Sequence, residues 1–165
     1  VGLSLNGRSL GTKKLSDFVN HAISWDVPFE EGTLKAIAFN GGKAVAEYEL
    51  KTAGTPAEIL AECVERSVKA DRRDLSYVSV RVADSNGNTV WSADNEITCE
   101  IEGPLRLIGM EDSNPANTED YKDNRQHAFH GKLLIYLQAE DRPGKAKIRI
   151  SSPGLEPATV DIDCN

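Results

Sequence analysis

Aromatic side chains are scarce in this chain. Tryptophan, tyrosine and phenylalanine make up 6% of its 165 residues, and there is a single methionine. A broad, aromatic-lined sugar-binding surface is therefore not the first expectation. Lysine and arginine form no cluster, and the net charge of −7 with a pI near 5.0 argues against nucleic acid and against an anionic membrane surface as partners. No apolar run is long enough to span a bilayer, so no membrane insertion is expected. The three cysteines, Cys63, Cys99 and Cys164, show no metal-ligand spacing. Their odd number excludes full internal pairing. Each lies among apolar residues, which favours buried free thiols and leaves one disulfide open in an oxidising compartment. No long stretch has helical periodicity.

What remains is alternation. Val1, Leu3 and Leu5 alternate with small residues, and Asn6-Gly7 then supplies the two positive-φ positions of a tight hairpin. Ser9 to Lys14 reads as the partner strand and His21 to Val27 as another. Thr33 to Phe39 and Ala44 to Leu50 flank a second turn at Asn40–Lys43. The pattern stops at Lys51–Pro56, where Gly54 permits unusual backbone angles and Pro56 removes a donor and extends Thr55. Beyond this joint, strands are expected at 57–64, 75–84, 97–101, 105–110, 131–139, 146–151 and 158–164. Some seven short strands at regular spacing describe an immunoglobulin-like sandwich. The fold expected is all-β: two immunoglobulin-like β-sandwich units in tandem, 1–53 and 54–165. The first has too few strands for a sandwich and is expected to be truncated at its N-terminus. The chain opens in strand-like sequence at Val1 and is expected to be a piece of a longer protein.

The candidate chemistry is thin. Glu30-Glu31 is the obvious carboxylate pair, but neighbouring strand residues point to opposite faces, and Gly32 places the pair in a solvated turn. His127 and His130 do not share a strand face, and His21 stands alone. Trp25 and Trp91 are candidates for carbohydrate or domain contact. Alternation turns Trp25 toward a core, whereas Trp91 follows a hairpin and is the more exposed of the two. The polar segment 112–126 is long for a compact domain. Its Asp112, Asn114, Asn117 and Asp120, with Glu119 and Asp123 nearby, offer the hard oxygen ligands that Ca²⁺ prefers, though not at the spacing of a known calcium loop.

Two sets of motifs resemble a known family. The first is Leu5-Asn6-Gly7-Arg8-Ser9-Leu10-Gly11-Thr12 with Trp25-Asp26-Val27-Pro28-Phe29 and Gly32 to Ala38. The second is Asp74-Leu75-Ser76-Tyr77-Val78 with Ala93-Asp94-Asn95, Gly109-Met110-Glu111-Asp112, Asn114-Pro115 and Arg125 to Gly131. Together they resemble the C-terminal immunoglobulin-like domains of bacterial glycoside hydrolase family 2, β-galactosidase-like enzymes. Met110–Ser113 departs from a more glycine-rich version of its loop, and His130 stands where asparagine is common. The resemblance implies a retaining glycosidase whose two carboxylates, about 5–5.5 Å apart, lie in a catalytic barrel outside this chain. No catalytic residue is therefore carried over. It further implies a non-catalytic accessory role with that barrel domain as partner, and a bacterial periplasmic, secreted or cell-surface location. A carbohydrate-binding module and an adhesin-like surface module are the alternatives from other classes.

Overall fold

The computed structural model describes all 165 residues, which divide into two compact units, Val1–Thr52 and Ala53–Asn165. The first unit is one four-stranded sheet in the order β2-β1-β3-β4, with β1 at Gly2–Leu5, β2 at Arg8–Thr12, β3 at Thr33–Asn40 and β4 at Lys43–Lys51. Both hairpin turns form as their residues dictate. Asn6 and Gly7 take φ of 51° and 77°, and Gly41 and Gly42 take 56° and 79°.

Cross-strand pairing sorts the sheet's two faces. Leu5, Leu34 and Leu50 stand in one row and Leu3, Ala36 and Tyr48 in the next. Lys35 and Glu49 face each other across the strands, and Lys35 reaches both Glu47 and Glu49 at 3.0 and 3.1 Å. Only Leu3 and Leu5 are buried, while Phe39, Tyr48 and Leu50 stay exposed.

The strand expected at His21–Val27 does not form. Apart from a 3-10 turn at Leu15–Asp17, the segment between β2 and β3 is irregular, and His21 sits at φ 54°, outside strand geometry. The alternation is nonetheless real, because Ile23, Trp25 and Val27 are half-buried while their neighbours are exposed. The period marked inward-turning side chains without a backbone ladder. Asn6 pins the end of this segment. Its Oδ1 accepts the Thr33 N–H at 2.8 Å, and its Nδ2 donates to the Glu31 carbonyl and to Glu30, each at 2.9 Å. Gly32 lies directly against the Asn6 amide at φ 134°, leaving no room for a Cβ.

The second unit is a two-sheet sandwich. One sheet runs β5-β7-β11-β9, from Glu58–Cys63, Leu75–Ala83, Lys132–Ala139 and Leu105–Glu111. The other runs β10-β8-β12-β13-β6, from Arg125–His127, Glu96–Glu102, Gly144–Ser151, Ala158–Cys164 and Ser67–Val68. The orders β5-β7-β11-β9 and β8-β12-β13 are the ABED and CFG orders of a constant-type immunoglobulin fold. After β5 the chain crosses to the other sheet, where β6 runs parallel to β13.

The core is aliphatic. Val78, Val80 and Val82 of β7 meet Ile135 and Leu137 of β11, Ile97 and Cys99 of β8, and Ile148 and Ile150 of β12, all within one buried cluster. No tryptophan and no inter-sheet disulfide complete it, and all three cysteines are free. Burial pushes the Cys99 thiol up to about 12 and raises that of Cys164, so neither is a reactive thiolate.

Gly54 does not use the special conformation expected of it, since its φ is not positive. Its N–H instead donates to the Asp84 carboxylate at 2.8 Å.

Candidate functional site

Strand register gathers the long connections of the sandwich at one end. Glu58 pairs with Ala83, Lys132 with Arg81, Leu134 with Glu111, and His127 with Glu96. A bridge from Glu58 to Glu156 adds the turn after β12. The segments 53–57, 84–95, 112–124, 128–131 and 152–157 therefore meet at one end of the sandwich. At the opposite end the connections are 64–74, 103–104 and 140–143.

Two devices fix the loop end. Asp84, 2% exposed, accepts from Gly54 N–H at 2.8 Å, from Asn86 and Asn88 N–H at 2.9 Å each, and from the Asn88 amide at 3.2 Å. The second device is a type I′ turn in which His130 and Gly131 take φ of 51° and 67°. Phe129 and Lys132 exchange backbone hydrogen bonds across it at 3.0 and 3.1 Å. Gly131 N–H donates to the Ala93 carbonyl at 2.9 Å, and Nδ1 of His130 lies 3.2 Å from the Trp91 carbonyl oxygen. Histidine stands here for asparagine because both tolerate the left-handed region better than most residues.

The turn carries Trp91 at the surface, 52% exposed, with the Lys132 ammonium 4.4 Å from its ring centre. Trp25 lies in the first unit, half-buried, with the Lys13 ammonium 5.1 Å from its ring and its indole N–H shielded without a partner. The two tryptophans thus belong to different units and form no common platform.

The segment 112–124 is held by its own side chains. Asp112 accepts from Asn114 N–H at 2.9 Å and from the Asn117 amide at 3.1 Å. Asn114, Asn117 and Asp120 accept from the backbone of Ala116, Glu119 and Lys122 at 3.0, 2.8 and 2.9 Å. These are Asx turns, which direct the oxygens onto nearby amides. No three His, Cys, Asp or Glu side chains gather there.

Glu119 closes the loop onto β10. It accepts the His127 N–H at 3.0 Å and lies 2.5 Å from His127 Nδ1. The His127 hydrogen bonds hold Glu119 below its usual range, and the Glu119 contact raises His127 above 6.5, helped by Glu96 and Asp94. Because the folded histidine pKa is raised, this stabilisation is complete below pH 6.5 and is lost as pH rises through the raised value. The glutamate's contribution holds above 4.5 and fades as pH falls through its lowered value. Amides of residues 117–127 are expected to be best protected near pH 5.5 and to exchange faster at pH 8.5 after correction for intrinsic rates. A His127→Gln variant should abolish that step, and an unchanged pH profile would remove the latch.

The fold defines a class: an immunoglobulin-like β-sandwich module. The comparisons give the family. Residues 59–161 match the glycoside hydrolase family 2 C-terminal domain 5, and residues 1–46 match a domain of unknown function (DUF4982). The β-galactosidase BoGH2A of Bacteroides ovatus is 41% identical over 162 residues, covering 98% of this chain and 19% of that protein. A putative β-glucuronidase of Formosa agariphila is 31% identical over 150 residues, or 90% of this chain. Among solved structures, a glycosyl hydrolase family 2 member from Bacteroides cellulosilyticus superposes with a TM-score of 0.93 at 27% identity, covering 99% of this chain and 21% of that one. A β-glycosidase from Bacteroides vulgatus superposes with 0.92 at 28%, covering 98% and 21%. The chain belongs to glycoside hydrolase family 2 and corresponds to a non-catalytic C-terminal region of its members. It spans 14–21% of the length of these relatives.

Proposed function

We propose that the chain is the C-terminal support of a β-galactosidase-like retaining glycosidase, docking through the loop end of its sandwich onto the catalytic barrel and shaping access to that barrel. The observation that carries this is the convergence of segments 53–57, 84–95, 112–124 and 128–131 at one end, with Trp91 exposed among them. Loops presented by a rigid sandwich are where such folds make contact.

Three of the acidic residues singled out above are engaged structurally. Glu30 is held by Asn6 and Arg8, Glu119 by His127, and Asp84 by backbone amides. Such placements fit support, not hydrolysis. The parent is proposed to be periplasmic, secreted or at the cell surface. Purified chain is expected to leave a nitrophenyl β-galactoside uncleaved above background. Turnover that persists through stringent purification would overturn the reading. In the parent enzyme, Trp91→Ala should raise KM or weaken domain association with little loss of stability, and an enzyme unchanged in both would remove the docking role.

A further inference from the structure

The outward face of the β5-β7-β11-β9 sheet concentrates what the sequence as a whole has little of. Three of the chain's four tyrosines, Tyr77, Tyr121 and Tyr136, meet there although they come from three separate segments. Register brings Tyr77 opposite Tyr136, and Tyr136 opposite Gly109. The rings of Tyr77 and Tyr136 pack edge to face, 5.6 Å apart. Tyr121 arrives from the 112–124 segment, its carbonyl accepting the Met110 N–H at 2.8 Å, and it is 51% exposed. Gly109 permits this approach, because a Cβ there would lie 3.1 Å from the Tyr121 oxygen. Between them opens a cavity of about 320 Å³, lined by Gly109, Met110, Glu111, Tyr121 and Tyr136.

Its polar rim is built. The Tyr136 hydroxyl donates to Glu111 at 2.9 Å, and this bond, with burial, raises the phenol's pKa so that it stays a donor. One carboxylate oxygen is thereby taken and the other is left for a further donor. Four residues back along β11, about 13 Å at strand spacing, Lys132 carries its ammonium against Trp91.

From these we infer a saccharide-binding site for a neutral oligosaccharide, with Tyr121 and Tyr136 as ring platforms and Glu111 as hydroxyl acceptor. A pyranose presents C–H groups on its face and hydroxyls at its edge. Amphipathic tyrosine rings beside a carboxylate match both. The volume suits a small ligand and is too small for a helix or strand. The carboxylate in the rim and the net charge of −7 disfavour acidic sugars. The site shares the 112–124 segment, through Tyr121, with the loop end proposed to dock, while Gly109, Met110, Glu111 and Tyr136 lie on the strands themselves.

The test is an NMR titration of the 165-residue chain with β-1,4-galactotetraose and, separately, cellotetraose. At least one should shift the amides of Gly109, Glu111, Tyr121 and Tyr136 together. Tyr121→Ala, at an exposed loop position, should weaken binding at least tenfold, and Tyr121→Phe should restore most of it. Absence of shifts with both sugars at millimolar concentration would overturn the site, as would shifts centred elsewhere and insensitive to Tyr121→Ala. So would solvent labelling that finds Tyr121 covered by the parent enzyme's own domains.

Discussion

Replacing Gly131 by valine is expected to lower the melting temperature of the sandwich by about 10–20 °C. Gly131 holds φ 67° in a turn whose other central residue is also left-handed, and a Cβ there would lie 2.4 Å from the Val90 carbonyl oxygen. A β-branched residue in that region costs about 1–2 kcal/mol for backbone strain, and the overlap with fixed backbone adds about 1–3 kcal/mol. The neighbouring bonds cannot yield cheaply. Gly131 N–H is tied to Ala93, its carbonyl accepts from Val82 N–H at 2.9 Å, and Ala128 N–H is tied to Asn95 at 3.0 Å. A turn forced out of the left-handed region would release the segment that carries Trp91. Thermal melts of wild type and variant decide it, and a shift under about 3 °C would show the turn is not under constraint.

Asp84→Ala should have an effect of similar size, on the order of 10 °C, by a different route. The carboxylate satisfies the backbone N–H groups of Gly54, Asn86 and Asn88 at a position 2% exposed, so alanine leaves three donors without it. Those bonds, that from Gly54 foremost, hold its pKa down to about 2. A depressed carboxylate contributes stability above its unfolded value of 3.8 and loses it as pH falls through about 2. Wild type should therefore weaken between pH 4 and 2 through this group, and Asp84→Asn should lack that part of the acid transition. A variant that melts and titrates like wild type would mean the loop end is held by other contacts.

Much of this architecture was legible because turn chemistry and alternation agree. Asn6-Gly7 and Gly41-Gly42 mark turns by residue type alone, and Val78, Val80 and Val82 face inward as period two requires. Four features were not. The His21–Val27 alternation described burial but not pairing. The two residues of β6 are too few to show a period and exist because β13 offers them an edge. The turn at His130-Gly131 was hidden by its histidine, although positive φ is open to that residue. Trp91 lies at the surface, as its place after a hairpin suggested. The tyrosine cavity was not legible, since Tyr77, Gly109, Tyr121 and Tyr136 lie on separate segments and meet only through three-strand register.

Hydrogen exchange of the whole chain tests most directly whether a self-sufficient sandwich stands beside a sheet that lacks a core of its own. Val78, Val80 and Val82 lie between two sheets in a closed aliphatic cluster, whereas Leu3 and Leu5 are the only buried apolar residues of the first unit. A lone sheet with Tyr48 and Leu50 exposed is marginal in water. Val78, Val80 and Val82 are expected among the slowest amides, and Leu3, Leu5 and Leu34 are expected to exchange about a hundredfold faster or more. Equal protection in the two units would contradict this.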